Sequence, residues 1–555
     1  MSLFEDTICA ASTASGGAIS VIRVSGEDAL KIVDRIFLPV VRRKSVCCSK
    51  PGGECNSPHI PFNGQESHFL SESKGYTIHF GTVFKSLPSC GSGVCEGGDE
   101  FGYSPADTAE STVSSDSSNK GKPSSCIRTI DEAMVSVFHA PYSYTGENSA
   151  EISCHGSSFI VQEILSLLVE NGARMATPGE FTQRAFVNGK MDLSQAEAVA
   201  DLIASQTSAA HRVAINQLKG GFSNELALMR EELLKIVSLM ELELDFSEEE
   251  VEFADRNELR ILLEKVISHV SDLISSFSLG NAIKNGVPVA IVGATNAGKS
   301  TLLNAIIGEN RAIVSDIAGT TRDTIEETYN IDGILFRFID TAGLRSSDDV
   351  IERIGIDRAY DKLASASLVL AVIDLTSPLE EISCIAQDIL SKVSDNQKVI
   401  FLLNKSDIVP DSTVRLVTEH LSSIDQRSRM TESPLLSTGS SSACSVSGTS
   451  IHPCFTISAK EKSGIKEFIE YISDEYKHLE SASETSLVTN LRHLEALKSA
   501  REALTRVREG LDTATPTDLI AQDIREALHY LGTITGTITT DEILGNIFSK
   551  FCIGK

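Results

Sequence analysis

Along the first part of the chain, to about Val40, apolar and polar residues alternate, as in GAISVIRVSG. Such alternation predicts a half-buried strand. The next stretch, EDALKIVDRIF, changes to helical spacing and predicts an amphipathic helix. From about Val41 to Ile127 both rhythms fail and Ser, Gly, Pro and Cys dominate, so 41–127 is predicted to be a largely low-complexity insertion around one short strand, GYTIHFGTVF. Strand character resumes at DEAMVSVFHAP, and beyond the turn YSYTGE come a strand, SAEISCHG, and a helix, SFIVQEILSLLVENG. Residues 1–186 are thus expected to form one interrupted α+β domain.

Helical spacing with few breakers runs from Ser194 to Leu279 and predicts three or so long helices, the first part (187–284) of a helical domain. At NGVPVAIVG the pattern changes again, to apolar strands alternating with helices as far as about Glu480. That pattern predicts a parallel sheet with crossover helices over 285–480, interrupted by a Ser-rich segment at 421–450. Helical spacing then returns in LVTNLRHLEALKSAREALTRVREGL, PTDLIAQDIREALHYLG and TTDEILGNIFSKF. The expected fold class is multidomain: an α+β N-terminal domain, then a discontinuous α-helical domain (187–284 and 481–555) into which an α/β module is inserted.

Composition adds limits. The 555 residues are 41% hydrophobic and 23% charged, with a formal net charge of -27. A surface that acidic is not a nonspecific polyanion binder, so nucleic acid must meet a local basic patch or one supplied by a partner. No apolar run reaches the roughly 18 residues that suggest a membrane span, and MSLFEDTICAA has neither a basic flank nor an apolar core. The expectation is a cytoplasmic protein with no membrane partner. Cys47, Cys48, Cys55, Cys90, Cys95 and Cys126 fall in one Gly/Ser-rich region without a C-x-x-C pair, which favours free thiols in an insertion over a zinc knuckle.

The chemistry concentrates in the inserted module. GATNAGKS, Gly293 to Ser300, follows the strand VPVAIVG and opens the helix STLLNAIIG. This is the phosphate-loop arrangement, in which backbone N–H groups of Asn296, Ala297, Gly298 and the helix start at Thr301 cradle phosphates while Lys299 adds positive charge. Ser300 offers its hydroxyl to Mg²⁺, and Thr321 in GTTRD suits the second hydroxyl on that ion. DTAG follows (Asp340, Thr341, Ala342, Gly343), with Asp340 suited to the outer shell of the metal; then come NKSD (Asn404, Lys405, Asp407) and SAK (Ser458, Ala459, Lys460). The Asp407 carboxylate can accept from both N1–H and the exocyclic amine of guanine, which adenine cannot offer. Five signatures in this order predict a GTP-binding domain. One feature departs from the expected pattern: Leu344 stands where many GTPases carry a water-orienting glutamine.

These motifs, with GAISVIRVSG, YSYTGENSAEISCHG, TPGEFTQRAFVNGKMDLSQAEAVADLI, DTAGLR and the terminal CIGK, closely resemble the MnmE (TrmE) family of tRNA-modification GTPases over nearly the whole chain except the two insertions. The resemblance implies a substitute for the missing glutamine. A K⁺ ion would be held by Asn296, Thr320 and the backbone of Ser315 and Ile317, and Glu352 would orient water, through a second water, once two GTPase modules pair. It also implies a one-carbon-substituted tetrahydrofolate bound by Arg23, Glu151, Lys190 and Lys555 in the N-terminal domain of a homodimer, with Cys552 near the chemistry. The implied partners are an FAD-dependent protein, MnmG, forming a heterotetramer, and tRNA; the implied activity adds a carboxymethylaminomethyl or aminomethyl group to position 5 of a wobble uridine. Taken singly, these residues keep plainer readings: Asn296 as a loop amide, Glu352 as a solvated helix acid, Arg23 and Lys190 as surface charges, and Cys552 as a small residue at a docked terminus. A ribosome-assembly or regulatory GTPase without modification activity is the alternative function.

Overall fold

The structure, a computed structural model, describes residues 6–14, 16–40, 69–87, 126–245, 256–309, 327–339, 366–394, 397–430, 452–477, 479, 487–513, 515–549 and 551–554. The chain divides into two compact units, Met1–Asp192 with Thr539–Lys555, and Leu193–Ile538.

In the first unit the alternating segments become strands: β1 (Ile8–Ala11), β2 (Ile19–Ser25), β3 (Phe37–Pro39), β4 (Thr77–Leu87), β5 (Cys126–Phe138), β6 (Ser149–His155) and β7 (Arg174–Met175). They form one sheet in the order β3-β4-β5-β6-β2-β1-β7, antiparallel except for the β1–β7 pair. Alternate residues such as Ile22, Val24, Val135, Val137 and Ile152 enter a core beneath α1 (Ala29–Asp34) and α3 (Ser158–Glu170), with the short α2 (Phe69–Glu72) nearby. The opposite face carries exposed Ile19, Ile78, Phe80 and Met134. Part of the expected insertion is therefore sheet: β4 pairs along its length with β5. Helix α4 (Glu180–Val187) follows Gly179, whose φ of +70° and close approach to Phe548 leave no room for a Cβ.

The C-terminal segment differs from expectation. Read with the helical domain in sequence, Thr539–Lys555 belongs to the first unit. The helix Asp541–Phe548 lies against Gly179, and a Cβ at Gly554 would sit 2.2 Å from the Ala11 carbonyl. Ser12 Oγ donates to the Gly554 carbonyl at 3.2 Å, so the chain end is docked beside β1.

The second unit begins, among the described residues, with four helices where three or so were expected: α5 (Leu193–Ala204), α6 (Ser208–Leu218), α7 (Gly221–Asp245) and α8 (Arg256–Asn285). Leu226, Met229, Leu233, Ile236 and Met240 recur on one face of α7 and meet Leu263, Val266 and Val270 of α8 in a shared core. Between α8 and the returning helices lies the α/β module: β8 (Val287–Gly293), α9 (Lys299–Glu309), β9 (Glu327–Ile331), β10 (Ile334–Phe338), β11 (Leu368–Asp374), α10 (Leu379–Lys392), β12 (Lys398–Asn404), α11 (Asp411–Met430), β13 (Cys454–Thr456) and α12 (Ile465–Tyr476). Helices α13 (Leu491–Asp512) and α14 (Thr517–Thr535) then complete the helical core.

The module's sheet runs β13-β12-β11-β8-β10-β9. Strand β11 is buried on both faces: Leu368, Leu370 and Val372 enter one core, and Val369, Ala371 and Ile373 the other. A central parallel strand covered by helices has this character. The expected all-parallel sheet fails at one edge, where β9 and β10 form an antiparallel hairpin. Asp332 and Gly333 connect them with φ of +48° and +87°, the two positive values that an Asp-Gly hairpin turn requires.

Candidate functional site

Strand β8 sits at the point where the chain's path reverses, with β10 on one side and β11 on the other. Loops at the carboxyl ends of parallel strands around such a point form a crevice suited to ligands. The loop after β8 turns through Asn296 at φ +63° and Gly298 at φ +94° before α9 begins at Lys299. Asparagine tolerates the left-handed region, and glycine adopts it without a steric cost. A Cβ on Gly298 would lie 2.2 Å from Asn404 Nδ2, so only glycine lets the loop backbone pass this close to the Asn404 amide. Lys299 Nζ donates to the Gly293 and Ala294 carbonyls at 2.9 and 2.8 Å.

Asn404, at the end of β12, is 3% exposed. Its Nδ2 donates to the Ala297 carbonyl at 2.7 Å, while its Oδ1 accepts from the Ala459 N–H at 3.0 Å. One buried amide therefore ties the phosphate loop to the SAK loop. Asp407 Oδ1 accepts from Ser458 Oγ at 2.6 Å, and Ser458 Oγ accepts from the Glu461 N–H. Lys405, at φ +66°, pairs with Asp374 at 2.6 Å. Burial raises the Asp374 carboxyl, but hydrogen bonds from Lys405 and Thr376 outweigh it and hold the group below its ordinary value. Lys460 is exposed, and Ser300, Thr301 and Asn296 lie on the exposed rim of the phosphate loop. Of the other sequence-derived nucleotide and metal residues, Ser315, Ile317, Thr320, Thr321, Asp340, Thr341, Ala342 and Gly343 lie outside the described residues, as does Glu352.

The first unit brings Arg23 and Glu151 together. They are direct partners in the β2–β6 register, and the Arg23 guanidinium donates to Glu151 Oε1 at 3.0 and 2.9 Å. The guanidinium also lies over the Tyr144 ring at 5.0 Å and near the Phe181 ring at 5.7 Å. Tyr144 and Phe181 were not legible as site residues in sequence, although Tyr144 stands within the YSYTGE turn. Lys190 Nζ donates to the Pro141 carbonyl at 3.0 Å, on the loop that carries Tyr144. The register puts Arg23 and Glu151 on the same sheet face as Ile19, Ile78, Phe80 and Met134. Cys552 is exposed on the docked terminus; Lys555 lies outside the described residues.

A further cluster was missed altogether. Glu197 on α5 meets His493 Nε2 at 2.7 Å and Arg492 Nε at 3.0 Å, with all but the guanidinium deeply buried. Burial pushes the Glu197 carboxyl up, but His493 and Arg492 outweigh it and bring it to about 2. Burial lowers His493 more than Glu197 raises it, which favours the neutral imidazole. Two acids four residues apart, Glu197 and Asp201, in the otherwise largely apolar QAEAVADLI were the available signal.

Comparison with known proteins gives the family. A family model described as the MnmE helical domain matches residues 193–552, and one described as the GTP-binding protein TrmE N-terminus matches residues 105–190. The chain is 44% identical over 556 residues to the tRNA modification GTPase MnmE of Bacteroides fragilis, covering 99% of this chain and 100% of that protein. It is 45% identical over 551 residues to the protein of the same name from Parabacteroides distasonis (99% and 100% covered). For that of Flavobacterium johnsoniae the identity is 41% over 556 residues, with 99% of each chain covered. With family models matching residues 105–190 and 193–552 and full-length relatives at this identity, the chain belongs to the MnmE/TrmE family of tRNA-modification GTPases.

Proposed function

We propose that this chain is a K⁺-dependent GTPase that works with an FAD-dependent partner, MnmG, and a folate one-carbon unit to add a carboxymethylaminomethyl or aminomethyl group to position 5 of the wobble uridine of certain tRNAs. Hydrolysis of GTP and a role in tRNA modification come with the family. The observation that carries the nucleotide reading is Asn404, which joins the phosphate loop to the loop that sets Asp407. Asp407 then meets guanine already oriented by Ser458, and its carboxylate accepts from N1–H and the exocyclic amine. Lys299 exchanges loop carbonyls for phosphate oxygens, whose negative charge it complements better.

The residues present fit the groups the family implies. Gly298, in the left-handed region, opens the loop into α9, whose N-terminus favours phosphate, and the exposed Asn296 amide offers an oxygen to a monovalent cation. Asn296, Thr320 and the carbonyls of Ser315 and Ile317 would hold K⁺; Ser300 and Thr321 would hold Mg²⁺. When bound, K⁺ supplies fixed positive charge at the phosphates, where other GTPases use an arginine. Glu352 would orient water. In the first unit the paired Arg23 and Glu151, the Tyr144 and Phe181 rings and Lys190 combine an aromatic wall with charges of both signs, as a pterin with an acidic tail requires. Lys555 and Cys552 would complete that pocket. The uncovered apolar sheet face around it supports a homodimer built through this unit. The domain limits we assign are 1–186, 187–284 with 481–555, and 285–480, with Thr539–Lys555 docked on the first.

Hydrolysis measured in equimolar K⁺ and Na⁺ tests the cation assignment: faster turnover in K⁺ is expected, and equal rates remove it. For the reaction on RNA, the mass of the wobble nucleoside in cells lacking this gene decides. An unmodified uridine is expected; retained modification would leave a ribosome-assembly or regulatory GTPase.

A further inference from the structure

The α/β module is inserted through two adjacent chain crossings. The inbound crossing is the end of α8, Lys284–Asn285, leading through Gly286 at φ +85° into β8 and the phosphate loop. The return crossing is Leu487–Asn490, leading into α13. They are packed together: the Val488 N–H donates to Ser276 Oγ of α8 at 3.2 Å, and a Cβ on Gly280 would lie 2.3 Å from the Val488 carbonyl. Ala209 and Val213 of α6 also pack into the module's core, but two connections side by side do not fix an orientation by themselves. Helix α5 spans both of them.

Glu197 and Asp201 are four residues apart, hence on one face of α5. Glu197 holds the return crossing through Arg492 and His493, and Arg492 is tied further to the Thr533 and Ile534 carbonyls of α14. Asp201 holds the inbound crossing through Lys284 at 2.7 Å. The two grips differ in solvation. Glu197 and His493 are 7% and 1% exposed, whereas Asp201 and Lys284 are 17% and 27% exposed, so water can replace either partner of the second pair as it opens.

Beside the more exposed pair lies a cavity of about 80 Å³, lined by Asp201, Lys284, Ala210, Ala214, Gln217 and Thr489 among others. Among the described residues, Gln217 Oε1 and Thr489 Oγ1 are buried without a partner. The Gln217 amide cannot simply flip, because its Nε2 donates to Ser194 Oγ at 3.0 Å and also to the Ser194 carbonyl at 3.4 Å, which can only accept. The cavity thus offers two acceptor oxygens next to a lysine ammonium already paired elsewhere.

We propose that Asp201 and Lys284 are positioning residues for GTP hydrolysis: a releasable latch on the inbound crossing, whose ammonium moves to Gln217 and Thr489 when the module swings about the fixed Glu197–Arg492–His493 anchor. The latch acts through β8, which leads directly into the phosphate loop; it touches no nucleotide. The inference rests on the chain being a GTPase. Holding one orientation lowers the population of the hydrolytic arrangement, so release raises kcat in proportion to the population gained.

Asp201→Asn removes the charge without changing shape. Expected are a kcat for GTP roughly three- to tenfold above wild type and an unchanged KM. Asp201→Lys combined with Lys284→Asp restores the wild-type kcat. Gln217→Leu with Thr489→Val, which removes the second seat, lowers kcat by a similar factor. In nucleotide-free protein, amide hydrogen exchange of residues 283–290 accelerates in Asp201→Asn while residues 487–495 keep wild-type protection; this measurement is independent of hydrolysis. A kcat for Asp201→Asn within twofold of wild type or below it, a swap that fails to restore the rate, or equal acceleration at both crossings overturns the proposal.

Discussion

In the first unit Arg23 is paired with the carboxylate of Glu151, two strands having placed them side by side; in the GTPase module Lys299 donates to two backbone carbonyls of its own loop. Both are cations at candidate ligand sites, but their partners differ in kind. A carboxylate is a full charge that a ligand must share or displace, whereas a carbonyl is a dipole that a phosphate oxygen readily replaces. The proposed nucleotide site is thus ready at its cationic end, and the loops proposed to read guanine are already fixed by Asn404, Asp407 and Ser458. The site around Arg23 is preorganised by mutual neutralisation. The Glu197–Arg492–His493 anchor carries the same device further, into near-complete burial.

The sharpest way to probe the difference is at the guanine end. Asp407→Asn leaves a side-chain amide facing two guanine donors, and kcat/KM for GTP is expected to fall by about 10⁴-fold, with partial recovery on xanthosine triphosphate, whose 2-carbonyl accepts from the new amide. Similar losses on both nucleotides would show that Asp407 does not read the base. Lys299→Met should lower kcat/KM by roughly 10²- to 10³-fold while leaving the thermal unfolding midpoint close to wild type, since the Gly293 and Ala294 carbonyls that accept from the ammonium can be reached by water in its place. A large drop in that midpoint would mean that Lys299 is structural.

The buried anchor predicts a pH effect of known sign. The folded Glu197 carboxyl is depressed from 4.5 to about 2, so its contribution is complete above 4.5 and is lost as the pH falls toward 2. The full difference corresponds to about 3 kcal/mol. The stability gap between wild type and Glu197→Gln, read by urea unfolding, should therefore narrow between pH 4.5 and pH 3; a constant gap would contradict the charged pairing. The smallest effect is expected at the preorganised pair. Arg23→Met should weaken tetrahydrofolate binding about tenfold, measured by calorimetry, with GTP hydrolysis unchanged. Undiminished folate affinity would remove Arg23 from that pocket.

The linear order of GATNAGKS, NKSD and SAK marked the candidate nucleotide loops, because a phosphate cradle is made by neighbouring residues whose backbone geometry is local. Strands β2 and β6 were legible for a similar reason: period-two burial is written into consecutive positions. The β9–β10 hairpin was legible too, in the Asp332–Gly333 pair, yet the alternation of strands and helices led to an all-parallel expectation.

Sequence by itself thus determined the class of each domain, the nucleotide and the family, all of which rest on short-range spacing. Tertiary structure alone decided that Asn404 bridges loops far apart in the chain, that the terminal segment docks beside β1 and that one face of α5 grips both crossings into the module. Those pairings depend on strand register and helix packing, which bring together residues whose separation along the chain carries no signal of their contact.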